Sequence, residues 1–120
     1  DAGYDVHALE DVCINPGDVK NVDIGLSFIA PSGWYFTVEG RSSLYQAGVT
    51  PFRGIIDGTY TGPMVVSLMN VGQTPYWILA GDRVAQLIPH AIIPIEAVVV
   101  AEPSPEYNVR GTSGFGSSGK

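Results

Sequence analysis

The sequence predicts an all-β domain, because short runs rich in Val, Ile, Tyr and Phe alternate with turn signals along its 120 residues. The turns carry the Pro, Gly and Asx residues that β-connections need, at residues 15–17, 31–33, 57–58, 70–72 and 80–82. Neither a linker nor an internal repeat divides the chain, and its length fits a single domain with its own hydrophobic core.

Seven strands are predicted from their content of β-branched and aromatic residues. They cover residues 19–24, 34–39, 54–56, 64–70, 76–80, 83–90 and 95–101. The first places Val and Ile among charged residues, the second opens with three aromatic residues, and the third leads into an Asp-Gly turn. The fourth and seventh contain consecutive valines, the fifth opens with Tyr-Trp-Ile, and the sixth surrounds Gln86 with apolar residues.

One helix is predicted, over residues 44–47, with Ser42 and Ser43 at its start and Gly48 after its end. Arg41 precedes it, so a guanidinium and two hydroxyls lie beside the free N–H groups that favour an anion at a helix start. An ordinary serine N-cap explains the same residues without a ligand.

The charge composition limits the classes of partner. The formal net charge of −6 argues against binding of nucleic acid or an anionic membrane surface through bulk electrostatics. Charged residues make up only 15% of the chain and hydrophobic ones 45%, whereas a charged share of about 25% is typical. With so few charges to solvate its exterior, we expect a homo-oligomer that buries part of its apolar surface.

Cysteine usage and hydropathy bear on the compartment. The single cysteine, Cys13, excludes an internal disulfide and a cysteine-based zinc cluster, and it is compatible with a reducing compartment. The apolar stretch over residues 91–101 is interrupted by Pro94 and Glu96, and it is too short to span a bilayer. With no signal-peptide pattern, we expect a soluble, intracellular protein.

The last residues form a distinct segment, which divides the chain into an all-β domain, a sandwich or a barrel, over residues 1–109 and a flap over residues 110–120. Residues 110–119 contain four glycines, four hydroxyl residues, Arg110 and Phe115. Glycines allow backbone N–H groups to converge on an anion, the hydroxyls and Arg110 add donors, and Phe115 offers a ring to a base. The alternative is a disordered Gly/Ser tail.

Three further positions bear polar groups that suit nucleotide chemistry. The sequence around Asp57 and Tyr60 predicts the tip of a hairpin, which would bring a carboxylate and an aromatic ring together in one turn. An ordinary Asp-Gly hairpin turn without a ligand is the alternative. The Gln86 side-chain amide lies on a strand and needs hydrogen-bond partners. A ligand phosphate is one candidate, and water is the other if the strand lies at the edge of its sheet. Asp5, beside a glycine, could hold water bound to Mg²⁺ or could be a turn carboxylate. No role is assigned to the two histidines.

The order of these segments resembles the five motifs of trimeric dUTPases, at residues 2–6, 40–44, 54–60, 81–88 and 110–119. The resemblance implies a jelly-roll-like β-barrel (β-clip) subunit in a homotrimer whose three active sites are shared between subunits. It also implies hydrolysis of dUTP to dUMP and pyrophosphate with Mg²⁺, which would limit uracil incorporation into DNA and supply dUMP for dTTP synthesis.

The resemblance assigns roles residue by residue. Asp57 matches the acid that activates the attacking water, and Asp5 matches the carboxylate near the water shell of the metal. The base and sugar would contact Gly54, Ile55, Ile56, Tyr60 and Phe115. The phosphates would contact Arg41, Ser42, Ser43, Gln86, Arg110, Ser113, Gly114, Gly116, Ser117 and Ser118.

Three positions depart from the family pattern, and two other functions compete with hydrolysis. Thr59 stands where many relatives have a second acid, Thr61 stands where many have a basic or amide residue, and Ser43 replaces a frequent glycine. A dCTP deaminase of the same fold would need a Glu about where Ser67 stands. A catalytically idle nucleotide-binding regulator is the other alternative, although the chain retains Asp57, Tyr60 and Arg110.

Overall fold

The structure, a computed structural model, describes residues 1–102. Its strands in that range are β1 (Tyr4–His7), β2 (Val12–Ile14), β3 (Val19–Asp23), β4 (Trp34–Glu39), β5 (Val49–Pro51), β6 (Ile55–Asp57), β7 (Val65–Asn70), β8 (Tyr76–Ile78) and β9 (Arg83–Ala91). A single turn of helix, α1 (Ser42–Gln46), lies between β4 and β5. The predicted all-β class is confirmed.

The strands form three antiparallel sheets. The largest has the order β1-β9-β4-β6, so that the first and last strands of the described chain are neighbours. The second has the order β3-β7-β5, and the third pairs β2 with β8. Because neighbours in the sheets are distant in sequence, the sheets bring separate segments of the chain to the same edge.

The core lies on one face of the four-stranded sheet. Side chains alternate between the two faces of a strand, so Val6, Val38 and Leu87 point together into the core and are buried. Residues at the alternate positions, including Asp5, Gln86 and the polar residues of β4, lie on the opposite face. The candidate site residues on these strands therefore belong to the polar face of the sheet.

The short helix confirms the predicted element but not its predicted cap. Ser42 lies inside the helix, and the N-cap residue is Arg41, which makes no side-chain capping hydrogen bond. The serine-cap alternative is therefore wrong for these residues. The helix buries Leu44 and ends before Gly48, whose φ of +82° is a conformation that favours glycine.

The predicted strand over residues 95–101 is wrong, and three strands were missed. Residues 92–100 form no strand in the part of the chain that the structure describes. Ile93, Ile95 and Val99 are 80%, 93% and 100% exposed, so their β propensity finds no partner strand there. The missed strands β1, β2 and β5 have only three or four residues each.

The predicted hairpin over residues 54–62 is also wrong in its pairing. The strand is Ile55–Asp57, one residue later than predicted, and it pairs with β4. The strand that follows the turn, β7, belongs to a different sheet. Asp57 therefore ends an edge strand and begins a turn that leads from one sheet to the other.

The described part of the chain contains no helix with the length and hydropathy that a membrane crossing requires.

Candidate functional site

The first part of the site is a cavity of about 360 Å³ at one edge of the four-stranded sheet. Its lining includes Gly3, Asp5, Arg41, Ser42 and Gln86. The sheet assembles these residues because Asp5 pairs with Gln86 across β1 and β9, and Gln86 pairs with Glu39 at the end of β4, two residues before Arg41. Three of the segments singled out in the sequence therefore meet here.

Two guanidinium groups face one carboxylate in this region. Arg41 Nε donates a hydrogen bond to Asp5 Oδ1 at 3.2 Å, and Arg83 Nη1 lies 3.7 Å from Asp5 Oδ2. Arg41 Nη1 also reaches Ser43 Oγ at 3.5 Å. Asp1 is a second carboxylate in the cavity lining, so the two arginines offer local donors for an anion beside negative groups.

Gln86 is held by the backbone. Its Nε2 donates a hydrogen bond to the Gly40 carbonyl at 2.9 Å. A Cβ at Gly3 would lie 2.5 Å from the Gln86 Oε1 atom, so a larger residue there would displace this amide. The edge-strand alternative is wrong because β9 lies between β1 and β4. Gln86 is a fixed part of the cavity wall, with its oxygen beside the N-terminal segment.

The second part of the site is the turn that follows β6. The Tyr60 N–H donates to the Asp57 carbonyl at 3.0 Å, which closes a four-residue turn. Asp57 and Tyr60 line one cavity of about 300 Å³ together with Ile55 and Ile56. Gly58 lies so close to the Trp34 carbonyl that a Cβ would overlap it. The turn thus holds a carboxylate and an aromatic ring at one cavity.

Backbone hydrogen bonds of β6 are directed into the sheet. The Gly54 carbonyl accepts from the Val38 N–H at 2.9 Å, and Ile55 and Ile56 pair with Thr37 and Phe36. The other edge of β6 faces away from β4, because β6 is the last strand of its sheet. Among residues 1–102 no strand pairs with that edge, so its backbone groups can contact a ligand or another chain.

The two cavities are far apart within one chain. Asp5 and Asp57 lie on the two opposite edge strands of the same sheet, three strand spacings apart. Asp5 is level with Glu39, whereas Asp57 is level with Tyr35, four residues along β4. Ordinary sheet dimensions then separate the two Cα atoms by roughly 20 Å. Within the described chain, the residues around Asp5 lie together and the residues around Asp57 lie together, but the two groups are apart.

The remaining predicted site residues lie outside the described residues. They are Arg110, Ser113, Gly114, Phe115, Gly116, Ser117 and Ser118.

The cavity beside Asp5 suits a magnesium ion that arrives with phosphates, and does not suit a metal cage. Within residues 1–102, no group of three or more His, Cys, Asp and Glu side chains could hold a metal ion. Asp5 is a single carboxylate, and both of its oxygens face arginines. Mg²⁺ keeps several waters and binds through one or two carboxylates plus phosphate oxygens, so contact through water fits these residues.

A polar network lies between the two cavities on the same face of the sheet. Thr37 Oγ1 lies 2.9 Å from His90 Nε2, and the His90 ring stacks on Tyr35 with centroids 5.0 Å apart. The nearby Thr37 hydroxyl holds the pKa of Glu39 below its ordinary value, and Arg53, whose Nε lies 3.1 Å from the carboxylate, adds to this effect. His90 thus has structural partners.

Sequence reasoning missed two contributors to the site. Arg83 lies in the same segment as Gln86 but was given no role, and its contact with Asp5 depends on the pairing of β1 with β9. The carbonyl of Pro63 accepts a hydrogen bond from the Tyr60 hydroxyl at 2.6 Å. A backbone acceptor has no signature in the sequence, so only the structure identifies it.

Comparisons with known proteins agree on one family. The dUTPase family model matches residues 1–119. The chain is 40% identical to the deoxyuridine 5'-triphosphate nucleotidohydrolase of Solibacter usitatus, over 100% of this chain and 82% of that protein.

Solved structures show the same fold. A Staphylococcus bacteriophage 80alpha dUTPase mutant with dUpNHpp superposes with a TM-score of 0.91 at 24% identity, covering 100% of this chain and 87% of that one. A mutant dUTPase from phage phi11 of S. aureus, described with a structural Mg(II) ion, gives a TM-score of 0.80 at 22% identity, covering 85% of this chain and 84% of that one.

Proposed function

The chain belongs to the dUTPase family, and from this premise we propose that it hydrolyses dUTP to dUMP and pyrophosphate through a water activated by Asp57. The observation that carries the proposal is the turn in which Asp57 and Tyr60 line one cavity. A carboxylate beside an aromatic ring can hold a water next to a bound sugar phosphate. This activity would limit uracil incorporation into DNA and supply dUMP for dTTP synthesis.

In the proposed reaction, Asp57 accepts a proton from the water while the water oxygen attacks the α-phosphorus. The bond from that phosphorus to the bridging oxygen breaks, and pyrophosphate leaves with the electron pair. Phosphoryl chemistry of this kind depends mainly on positioning and charge stabilisation. A carboxylate that positions and deprotonates the water is worth about 10²–10⁴ in rate.

Arg41, Ser42 and Gln86 bind the phosphates in this proposal, with Ser43 holding Arg41. The guanidinium groups of Arg41 and Arg83 beside Asp5 support this role, because they are local donors for an anion in an acidic protein. Mg²⁺, bound to the phosphates and to Asp5 through water, would neutralise charge on the phosphate oxygens. The flap residues Arg110, Ser113, Gly114, Gly116, Ser117 and Ser118 would cover the phosphates, and Phe115 the base.

The uracil and deoxyribose would occupy the cavity beside β6. Gly54, Ile55 and Ile56 would offer the free backbone edge of β6 to the uracil, and Tyr60 would pack against the sugar. A base read by backbone donors and acceptors discriminates against a base with the opposite pattern, because mismatched polar groups are left unpaired.

We propose further that the active sites are completed by neighbouring subunits of a homotrimer, built from jelly-roll-like subunits. Two observations support shared sites. The phosphate cavity and Asp57 are roughly 20 Å apart in one chain, much farther than the triphosphate of one nucleotide can reach. The exposed and mostly apolar segment over residues 92–100, in which Val99 is fully exposed, also offers a surface that a neighbouring copy would cover.

Deamination of dCTP is the less favoured alternative. The strand β7 contains no acidic residue, and the Ser67 hydroxyl donates a hydrogen bond to Asn21 Oδ1 at 2.7 Å. That position therefore takes part in cross-strand pairing on the sheet β3-β7-β5. An idle nucleotide-binding regulator is disfavoured because Asp57 remains at the cavity wall.

The proposal is tested by product identification with a panel of deoxynucleoside triphosphates and Mg²⁺. The wild type should release pyrophosphate and dUMP from dUTP, and Asp57→Asn should lose about 10²–10⁴ in kcat while retaining affinity for a non-hydrolysable analogue. Asp23→Asn, which changes an exposed aspartate of β3, is the matched control. Equal rates for Asp57→Asn and the wild type would remove Asp57 from the mechanism, and ammonia release from dCTP would establish deamination.

A further inference from the structure

The ring of Tyr60 contacts two residues shortly after its turn, Gly62 and Pro63. Its hydroxyl donates a hydrogen bond to the Pro63 carbonyl at 2.6 Å. The ring also lies directly over Gly62, where a Cβ would be 2.6 Å from the Tyr60 oxygen and 2.7 Å from the carbon that bears it. Ordinary side-chain contacts are longer than this, so the ring occupies space that any other residue at position 62 would fill.

The hydrogen-bond acceptor is itself fixed in place. Proline has a restricted φ, and the next residue, Met64, is buried in the core. The Met64 N–H donates to the Leu26 carbonyl at 3.0 Å, which ties this point of the chain to the segment after β3. The carbonyl that receives the Tyr60 hydroxyl is therefore part of a rigid connection between the turn and the core.

The two contacts fix the position of one wall of the cavity beside Asp57. Tyr60 is half exposed, and its ring lines the cavity with Ile55, Ile56 and Asp57. Without the hydroxyl bond, nothing in these contacts would keep the far end of the ring against Gly62. The ring could then move away from the cavity, and the cavity would widen by a fraction of an atomic diameter.

We propose that Gly62, with the Pro63 carbonyl, is a positioning element that sets substrate specificity at the sugar by fixing the Tyr60 ring. The inference rests on the proposed function, in which this ring packs against the deoxyribose. A fixed ring leaves no room for an added hydroxyl at C2′, whereas a ring that can retreat tolerates it. Gly62 acts through Tyr60 and does not itself contact the substrate.

The test compares specificity constants for dUTP and UTP in two variants. Tyr60→Phe keeps the ring and removes the bond to Pro63, and Gly62→Ala adds the methyl group that displaces the ring. In Tyr60→Phe the ratio of kcat/KM for dUTP to that for UTP should fall by about 3- to 10-fold, the worth of one net hydrogen bond. In Gly62→Ala the methyl group pushes the ring toward the cavity, so the ratio should not fall and KM for dUTP should rise. For Gly62→Ala the change with dUTP should appear in KM more than in kcat, because Asp57 lies at the other end of the turn.

Thr61→Ala is the matched control, since Thr61 is exposed on the same connection, and its ratio should equal that of the wild type. An unchanged ratio in Tyr60→Phe overturns the inference, and so does an unchanged KM for dUTP in Gly62→Ala or a fall of equal size in the ratio of the control. If Gly62→Ala does not fold, Tyr60→Phe alone decides. A wild type that does not hydrolyse dUTP would instead contradict the proposed function, so the two failures are distinguishable.

Discussion

Arg41 and Asp5 are joined by a hydrogen bond of 3.2 Å between Nε and Oδ1, although 36 residues separate them in the chain. The contact depends on the sheet, because β1 and β9 place Asp5 beside Gln86 at the same cavity. Asp5 therefore has a second role to consider besides contact with a hydrated metal. It orients the guanidinium that we assign to the phosphates, and Arg83 approaches its other oxygen.

These two roles of Asp5 can be separated by two substitutions. Asp5→Asn keeps an oxygen that can accept from Arg41 but removes the negative charge, so the Mg²⁺ concentration for half-maximal rate should rise. Asp5→Ala removes the acceptor as well, so kcat/KM should fall by a further factor of about 10 to 100. Losses of this size are typical when a group that orients a ligand-binding residue is removed. Magnesium titrations of steady-state dUTP hydrolysis measure both effects. Identical titration curves for Asp5→Asn and the wild type would show that Asp5 does not contact the hydrated metal.

Asn70 is a buried side chain whose loss should destabilise the fold. It is fully buried, and its Nδ2 donates to the carbonyls of Ile14 and Thr74, both at 2.8 Å. Its Oδ1 accepts from the Gly72 N–H at 2.9 Å. Asn70→Ala leaves three backbone groups without this partner, so the free energy of unfolding should fall by about 2–4 kcal/mol.

Urea unfolding measures this change, with Asn21→Ala as the control because Asn21 is exposed and makes one cross-strand hydrogen bond. The control should lose no more than about 1 kcal/mol. A loss in Asn70→Ala that is no greater than in the control would show that water replaces the amide at the end of β7.

Glu39 should make a small contribution to stability that depends on pH. The Thr37 hydroxyl and Arg53 hold its pKa in the folded protein below the ordinary value of 4.5. The folded state thus binds this proton less readily than the unfolded state, so the contribution is present above about pH 4.5 and is lost as the pH falls through the folded pKa. Thermal unfolding between pH 3 and pH 6 should show a smaller acid-side loss of stability in Glu39→Gln than in the wild type.

The effect should be only a few tenths of a kcal/mol, because Arg53 is largely solvent-exposed and water screens the pair. Curves that stay parallel across this pH range would show that the Thr37 contact does not favour the charged form of Glu39.

Much of the fold could be predicted from local sequence, and the errors have a common cause. The strands β7, with two consecutive valines, and β9, with apolar residues on both sides of Gln86, were found because their pattern is strong. The segment over residues 95–101 has an equally strong pattern but no partner strand in the described chain. The strand β5 was missed because it contains Pro51, which is tolerated there since β5 is an edge strand. Pairing partners decide such cases, and local sequence does not contain them.

The candidate site was predictable as a set of segments but not as a geometry. The carboxylate and ring of Asp57 and Tyr60 were expected in one turn, and the structure places them there. The contact of Arg83 with Asp5 and the acceptor at Pro63 were not predicted, because they depend on sheet register and on a backbone carbonyl. The separation of Asp5 from Asp57 likewise follows from strand order, which the sequence does not state.

That separation leads to a test of shared active sites by complementation. Arg41→Ala should inactivate the phosphate cavity and Asp57→Asn should inactivate the water-activating turn, so each variant alone should be nearly inactive. If a site takes Arg41 from one subunit and Asp57 from another, co-expression creates some sites in which both groups are intact. Random mixing of equal amounts should restore about a quarter of the wild-type activity, because each of the two subunits must be the right one. Co-expression of Asp57→Asn with the double variant that carries both substitutions is the control, since no intact site can form. A mixture that is no more active than either variant alone would place Arg41 and Asp57 of one site in the same chain. A fully active protein that sediments as a monomer would lead to the same conclusion.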